Sequence, residues 1–175
     1  NGADGAYGHG CGSGGAVYIT CSRFSGTGGK ISANGGFYNG TYSGGGGGGR
    51  VAVVYDPAAQ QALPVPDVAF EAGGGQATWG YGDLGTLYFP DSRWLRSPLV
   101  HKGQWLAPEL SGWELDMLLV SNGWVRFPAA GFQLTVTNDA VMTGSDPLQF
   151  GLQLRGGRLD CGGSLVLQRS RLTLF

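Results

Sequence analysis

The sequence predicts an all-β chain: a solenoid-like stack of short strands, of the parallel β-helix kind, joined by Gly-rich turns. Three observations carry that expectation. Glycine runs open directly into short β-branched strands at a nearly fixed spacing. Leucine pairs recur every six or seven residues towards the C-terminus. No segment keeps a 3.6-residue apolar period over ten residues, which leaves no amphipathic helix to form.

The glycine-opened strands come first. Gly12-Ser-Gly-Gly-Ala-Val-Tyr-Ile-Thr20 is echoed by a hexaglycine, residues 44–49, that runs into Arg50-Val-Ala-Val-Val-Tyr55. A weaker echo is Gly85-Thr-Leu-Tyr-Phe89. Two places after the last glycine stand Val17, Val51 and Leu87, and four after it stand Ile19, Val53 and Phe89. These positions, with Cys21, are expected to face inward and Tyr18, Ala52 and Tyr88 outward, because side chains alternate along a strand. Gly15, Gly49 and Gly85 lie 34 and 36 residues apart, and self-similarity at such a period marks a stacked array. Closing elements follow at Ile31-Ser-Ala-Asn-Gly-Gly36 and Phe70-Glu-Ala-Gly-Gly-Gly75, the first ending in an Asn-Gly turn signal. Between Pro57 and Pro66 three prolines exclude a central strand and leave an extended loop, with at most one helical turn over residues 58–63.

Three regions result. Residues 1–89 form a Gly-rich β-repeat region. Residues 90–112 form a Pro/Trp-rich joint holding Trp94, Trp105, His101 and Lys102, whose aromatics are expected to cover the stack laterally. Residues 113–175 form Leu-rich coils. There Leu115, Met117 and Leu119 alternate, and Leu152-Gln-Leu154, Leu159-Asp-Cys161, Leu165-Val-Leu167 and Leu172-Thr-Leu174 follow one another. Strands this short do not suit a sandwich, where turn signals come about every 8–12 residues. They suit three strands per coil of about twenty residues, the regions together making one continuous solenoid. The chain starts at Asn1 without Met and ends in what reads as mid-strand, so a processed chain or a piece of something larger is expected.

Composition narrows the function. Glycine is 35 of 175 residues and charged residues are only 13%, against roughly 25% in an ordinary soluble domain. Yet 42% of the chain is hydrophobic, too much for a flexible linker, so the glycines are structural. Net charge is −1 with no basic stripe, which argues against nucleic acid or an anionic membrane as partner. No apolar run approaches the ~18 residues of a membrane-spanning helix. Of the three cysteines, Cys11 and Cys21 flank the first strand and could bridge, or all three could be reduced thiols; their spacing does not suit zinc.

The Gly-rich half, with Gly12-Ser-Gly-Gly-Ala-Val-Tyr-Ile, Gly28-Gly-Lys-Ile-Ser-Ala-Asn-Gly-Gly36 and the hexaglycine strand, resembles the Gly-rich repeats of large secreted or cell-surface proteins. The Leu-rich half resembles the right-handed parallel β-helices of the pectin-lyase-like superfamily, which includes adhesins, passenger domains, tailspikes and polysaccharide-cleaving enzymes. What the resemblance implies is a fold and an extracellular or cell-surface setting. Its enzymes work with clustered acids or with Asp-bound calcium beside a basic residue, and no catalytic residue transfers.

Read for chemistry, the residues favour structure. Glu114 and Asp116 are expected on one strand face, where paired carboxylates could serve acid/base catalysis, although a solvated strand face is the plainer reading. The remaining acids, Asp139 and Asp146 among them, stand beside turns and cap them. Gly2-Ala-Asp-Gly-Ala lacks the repetition of a calcium-binding turn, and the hexaglycine lacks the Lys and helix of a phosphate cradle. His9 reads as a surface residue. Asn39-Gly-Thr41 is a glycosylation sequon, and Thr135-Val-Thr137 is one copy of an ice-binding pattern rather than an array. The binding candidates are aromatic: Tyr18 and Tyr88, expected to stack on the outward face, and Tyr38, Tyr42, Trp79 and Tyr81 among glycines. Such rings could bind sugars or anchor interfaces, or simply cover bare glycine backbone. The expectation is a non-enzymatic structural or adhesive segment without cofactor or metal. Its open ends would pair with further β-helix coils or other subunits, with glycans as further partners. The alternative is a polysaccharide-binding or polysaccharide-cleaving β-helix.

Overall fold

A computed structural model of the chain describes residues 1–38, 40, 42–91, 102–106, 111–121, 123–144 and 150–175. Apart from one short helix, these residues are strands and the turns and irregular segments that join them. The Gly-rich region supplies β1 (Ala16–Thr20), β2 (Gly29–Ser32), β3 (Arg50–Val54), β4 (Val68–Glu71) and β5 (Thr86–Tyr88). Next come β6 (Gly103–Leu106), β7 (Gly112–Leu115), β8 (Leu118–Ser121), β9 (Trp124–Phe127), β10 (Gln133–Val136) and β11 (Ala140–Thr143). β12 (Gly151–Leu154), β13 (Arg158–Cys161), β14 (Leu165–Gln168) and β15 (Arg171–Leu174) complete the chain. The proline-bounded insertion holds a single turn, α1 (Pro57–Gln61), capped by Asp56, whose carboxylate accepts from the N–H groups of Ala58 and Ala59.

Every strand pairing is parallel. Seven strands form one sheet in the order β1-β3-β5-β6-β9-β12-β15, with smaller sheets β13-β10-β7, β14-β11-β8 and β2-β4. From β7 onward the chain visits the two three-stranded sheets and then the large sheet, and makes that circuit three times in all. Each return meets the previous one in register. Leu134 lies between Trp113 and Leu159, Met142 between Val120 and Leu167, and Leu152 between Val125 and Leu172. In the first half Ala16 faces Arg50 and Arg50 faces Thr86, which reproduces the 34- and 36-residue period. In the second half Gly112 faces Gln133 and Gly151 faces Arg171, shorter offsets of 21 and 20 residues.

The inward columns make one core. Val51, Val53, Leu87, Phe89, Leu134, Val136, Leu152 and Leu154 are buried, and Val17, Ile19 and Cys21 pack against them from the end strand. An aromatic spine runs through it: Phe24, Phe70, Phe89 and Trp105 follow one another with ring centroids 6.0, 4.8 and 4.6 Å apart. Trp105 therefore fills the core instead of covering the stack from outside, because β6 enters the large sheet between β5 and β9. Trp94, His101, Pro98 and Pro108 of the joint lie outside the described residues. The alternation of Leu115, Met117 and Leu119 is also not one strand. A bend at Asp116 and Met117 separates β7 from β8 and resets the phase, so that Leu115 and Leu118 are buried while Met117 and Leu119 face out.

α1 closes the core through one side chain. Gln60 is fully buried, and its amide accepts from the Phe24 N–H and donates to the Phe24 carbonyl, both at 2.8 Å. The amide supplies Phe24 with both the acceptor and the donor that a strand would offer.

The glycine runs pack differently. Gly12 donates to Ala3 O, Gly36 to Gly12 O, Gly46 to Gly36 O, Gly75 to Gly46 O and Gly82 to Gly75 O, at 2.7–3.2 Å. Five backbone bonds thus stitch successive glycine segments side by side. The approach is so close that a Cβ on Gly46 would overlap the Gly12 carbonyl oxygen, and one on Gly36 the Ala3 carbonyl oxygen.

Two neighbouring substitutions test this packing. Gly46→Ala is expected to lose about 2–4 kcal/mol in urea denaturation, since backbone must move. Gly44→Ala, where an added methyl meets nothing within 4 Å, is expected to change stability by less than about 0.5 kcal/mol. Gln60→Ala, which removes both hydrogen bonds from the amide to the Phe24 backbone, is expected to cost about 1–3 kcal/mol in the same measurement.

Candidate functional site

Two surface features gather the aromatic and charged residues. The first is a strip on the tips of the Gly-rich loops. Tyr7, Tyr42 and Trp79 come from three successive repeats, 35 and 37 residues apart, and their rings touch in series at 6.0 and 5.2 Å. All three are exposed, Trp79 by 68%. The Trp79 N–H donates to Ser43 O at 3.2 Å, tying the second and third of these loops together. Tyr42 holds φ at +63°, a conformation that costs an aromatic residue about 1–3 kcal/mol and sets its ring between its neighbours.

Tyr18 and Tyr88 do share one outward column, but Ala52 stands between them in the register, so their rings do not stack on each other. Tyr18 is 73% exposed and stands alone. Tyr38 is half-buried beside the bridge it makes with Ala77.

The second feature is a cleft of about 390 Å³ on the outward face of the large sheet. Tyr81 from the glycine region and Phe150 beside β12 form part of its walls. Its floor follows from register: Arg126 and Gln153 lie in one column, and Trp124 and Arg171 flank Gly151 in the next. Gly151 carries no side chain, and across it the Arg171 guanidinium reaches the Trp124 ring at 5.1 Å. Arg126 is held from both sides. Asp83 accepts from both terminal nitrogens at 3.2 and 2.9 Å, and Gln153 Oε1 accepts from Nε at 2.6 Å. Lys102 lies 5.6 Å from the centre of the Phe150 ring.

Behind the Lys102 wall, Glu71 accepts from Asn34 Nδ2 at 2.8 Å and pairs with Lys30 at 2.9 Å. Burial works against the charge of Glu71, but the Asn34 hydrogen bond and the two lysines outweigh it, so its carboxyl titrates below the ordinary glutamate range. Asn34 also accepts from Gly73 N–H and donates its own N–H to Asn1 Oδ1, joining three successive repeats.

The carboxylates Glu114 and Asp116 do not share a strand. Glu114 lies on β7 with Thr135 and then Asp160 as its cross-strand neighbours, and Asp160 is paired with Arg158 at 2.7 Å. Asp116 sits in the following bend and accepts from Asn138 Nδ2 at 2.7 Å. Other acids hold turns: Asp4 accepts from Phe37 N–H, Asp67 from Gly28 N–H and Asp139 from Ser164 N–H. Asp146, Asn39 and Thr41 lie outside the described residues. No bridge joins Cys11 and Cys21, and all three cysteines are free thiols. β1 separates them: its five residues alone extend about 13 Å, whereas a disulfide needs Cα atoms within about 7 Å. Cys161 donates to Asn138 O at 3.2 Å. Among the described residues, no group of three His, Cys, Asp or Glu side chains is placed to hold a metal ion.

The sequence did not flag Arg126, Gln153, Arg171 or Trp124, because strand register alone brings them together. Compared with known proteins, the chain matches no family model, no curated protein and no solved structure.

Glu71 gives a pH test. A carboxyl lowered by folding stabilises the fold above its unfolded titration, near pH 4.3, and loses that contribution as pH falls through its lower folded value. Glu71→Gln is expected to be less stable than the parent at pH 7 by about 1–2 kcal/mol, with the gap closing below about pH 4. Urea midpoints at pH 7 and pH 3 measure both.

Proposed function

We propose that this chain is a non-catalytic structural and adhesive segment, built as a parallel β-helix, of an extracellular or surface-displayed protein. The observation that carries the proposal is the threefold circuit of β7 to β15. Each pass lies in register on the last, and the final pass is left open. On β14, Leu165 and Leu167 continue the inward columns of Leu118–Ala140 and Val120–Met142, yet both are 47% exposed. Leu174 and Phe175 are exposed beside them. An open parallel edge backed by apolar side chains favours association with a further coil or another subunit. The Tyr7–Tyr42–Trp79 strip supplies an adhesive face, since ring faces in a row suit the apolar faces of sugars.

Polysaccharide binding is the second reading, and the same strip favours it. For cleavage the support is weaker, because the carboxylate of Asp116 is engaged by Asn138 in a turn.

Sedimentation velocity over a hundredfold concentration range tests assembly. The parent is expected to associate with concentration, and Leu165→Lys/Leu167→Lys to remain monomeric. A monomeric parent throughout refutes assembly. On a glycan array Tyr42→Ala/Trp79→Ala is expected to lower any retained binding by about tenfold. Release of reducing sugar that Glu114→Gln or Asp116→Asn abolishes would overturn the non-catalytic reading.

A further inference from the structure

The tyrosines of the chain differ in their surroundings, and two of them meet. Tyr55 is buried with its hydroxyl on Asp91, and Ala52 separates Tyr18 from Tyr88. Among the described residues, Tyr7 and Tyr42 are the two tyrosines that stand ring to ring, with centroids 6.0 Å apart and planes at 85°. Tyr7 is 68% exposed and Tyr42 56%, so a large oxidising enzyme can reach both.

Backbone holds the pair in place. Tyr7 and Gly8 form the middle of a tight turn, closed by His9 N–H to Ala6 O at 3.0 Å. Gly8 has φ +72°, the left-handed value that a type II turn takes at that position. The loop carrying Tyr7 is bonded to the loop carrying Tyr42 on both flanks. Gly5 N–H donates to Phe37 O at 3.3 Å before the rings, and Cys11 N–H to Gly44 O at 3.1 Å after them. Between these bonds Ser43 Oγ donates to His9 O at 2.7 Å. Two phenols held this way see each other at an effective concentration on the order of millimolar or above, far over that of a neighbouring chain at micromolar.

We infer that Tyr7 and Tyr42 are a site of oxidative cross-linking, joined as dityrosine by a haem peroxidase with hydrogen peroxide. Each phenol gives up one electron and its O–H proton, and the peroxide takes up both pairs and leaves as two waters. A carbon–carbon bond forms between the ring carbons next to the two hydroxyls. The hydrogen on each joined carbon then moves as a proton to its phenol oxygen. The edge-to-face pair needs one ring to turn first, and exposed side chains turn on the nanosecond scale or faster. The link ties the first pass, with its end strand β1, covalently to the second, which disfavours the unfolded chain. This inference stands on the two loops and not on what the strip binds.

Treating the whole chain at micromolar concentration with a haem peroxidase and limiting hydrogen peroxide tests it. The expected product is a monomer lighter by two hydrogens, with dityrosine fluorescence and a proteolytic fragment that joins Tyr7 to Tyr42. Its fraction is expected to hold on dilution, and its urea midpoint to exceed that of the untreated chain. Tyr7→Phe and Tyr42→Phe, which keep the rings, are each expected to lower the monomeric product by about tenfold or more. Tyr18→Phe is expected to leave it unchanged. A link mapped to other residues, Tyr42 to Trp79 included, overturns the inference. So does a product found only in dimers that fades with dilution, an unaltered yield in both variants, or consumption of peroxide without any link.

Discussion

Parallel strands hold each other at one spacing and in one register, and that constraint sets nearly everything else in this molecule. A residue that fits between its counterparts one pass before and one pass after is locked into a column, and the inward columns share an apolar character. Val17, Val51 and Leu87 form an apolar column, and Gln104, Arg126 and Gln153 a polar one. The turns obey the same spacing. Where loops must lie as close as strands without strand geometry, carbonyl oxygens occupy the space a side chain would take, as Gly12 O does beside Gly46. The high glycine content of the first half follows from that proximity rather than from flexibility.

Much of this was legible in the sequence. The 34- and 36-residue period read from Gly15, Gly49 and Gly85 returns as the pairing of β1, β3 and β5, because a strand opened by glycine declares its own register. Legibility failed wherever a turn hid inside an apolar run. Leu115 and Leu119 looked like one face, yet a two-residue bend moved burial to Leu118, and the same bend took Asp116 off the strand that carries Glu114. Trp105 looked peripheral among prolines and is central, since nothing local marks β6 as the strand that links the two halves of the large sheet. The cleft was invisible for a related reason. Asp83, Lys102, Arg126, Gln153 and Arg171 have no common motif and meet only through offsets that vary from pass to pass.

The two candidate surfaces arise from different parts of the stack. The aromatic strip sits on loop tips, held by glycine backbone and by a strained Tyr42, and offers ring faces with little charge. The cleft sits on the sheet itself, where outward columns set basic groups against aromatic walls and a glycine gap at position 151 lets Arg171 lie across to Trp124. Both use the repeating spacing of the stack, one for ring faces and one for charge. A ligand with repeating units suits such a surface better than a compact one.

The all-parallel pairing also bears on how the chain acquires its fold. Strands joined at offsets of 18 to 36 residues in the large sheet cannot form as hairpins, and each first contact must close a long loop before any ladder bond offsets the lost entropy. Contact order is therefore high and initiation slow. Once one circuit is formed, the next strand needs only to add to an existing edge, so growth from a seed is faster than seeding itself. The second half, with its shorter offsets, is the cheaper place to begin, and the Gly-rich half, which gives little side-chain gain per residue ordered, is expected to condense on it. Gln60 then closes over Phe24 as a late event, since its two bonds exist only after the end of the stack is in place.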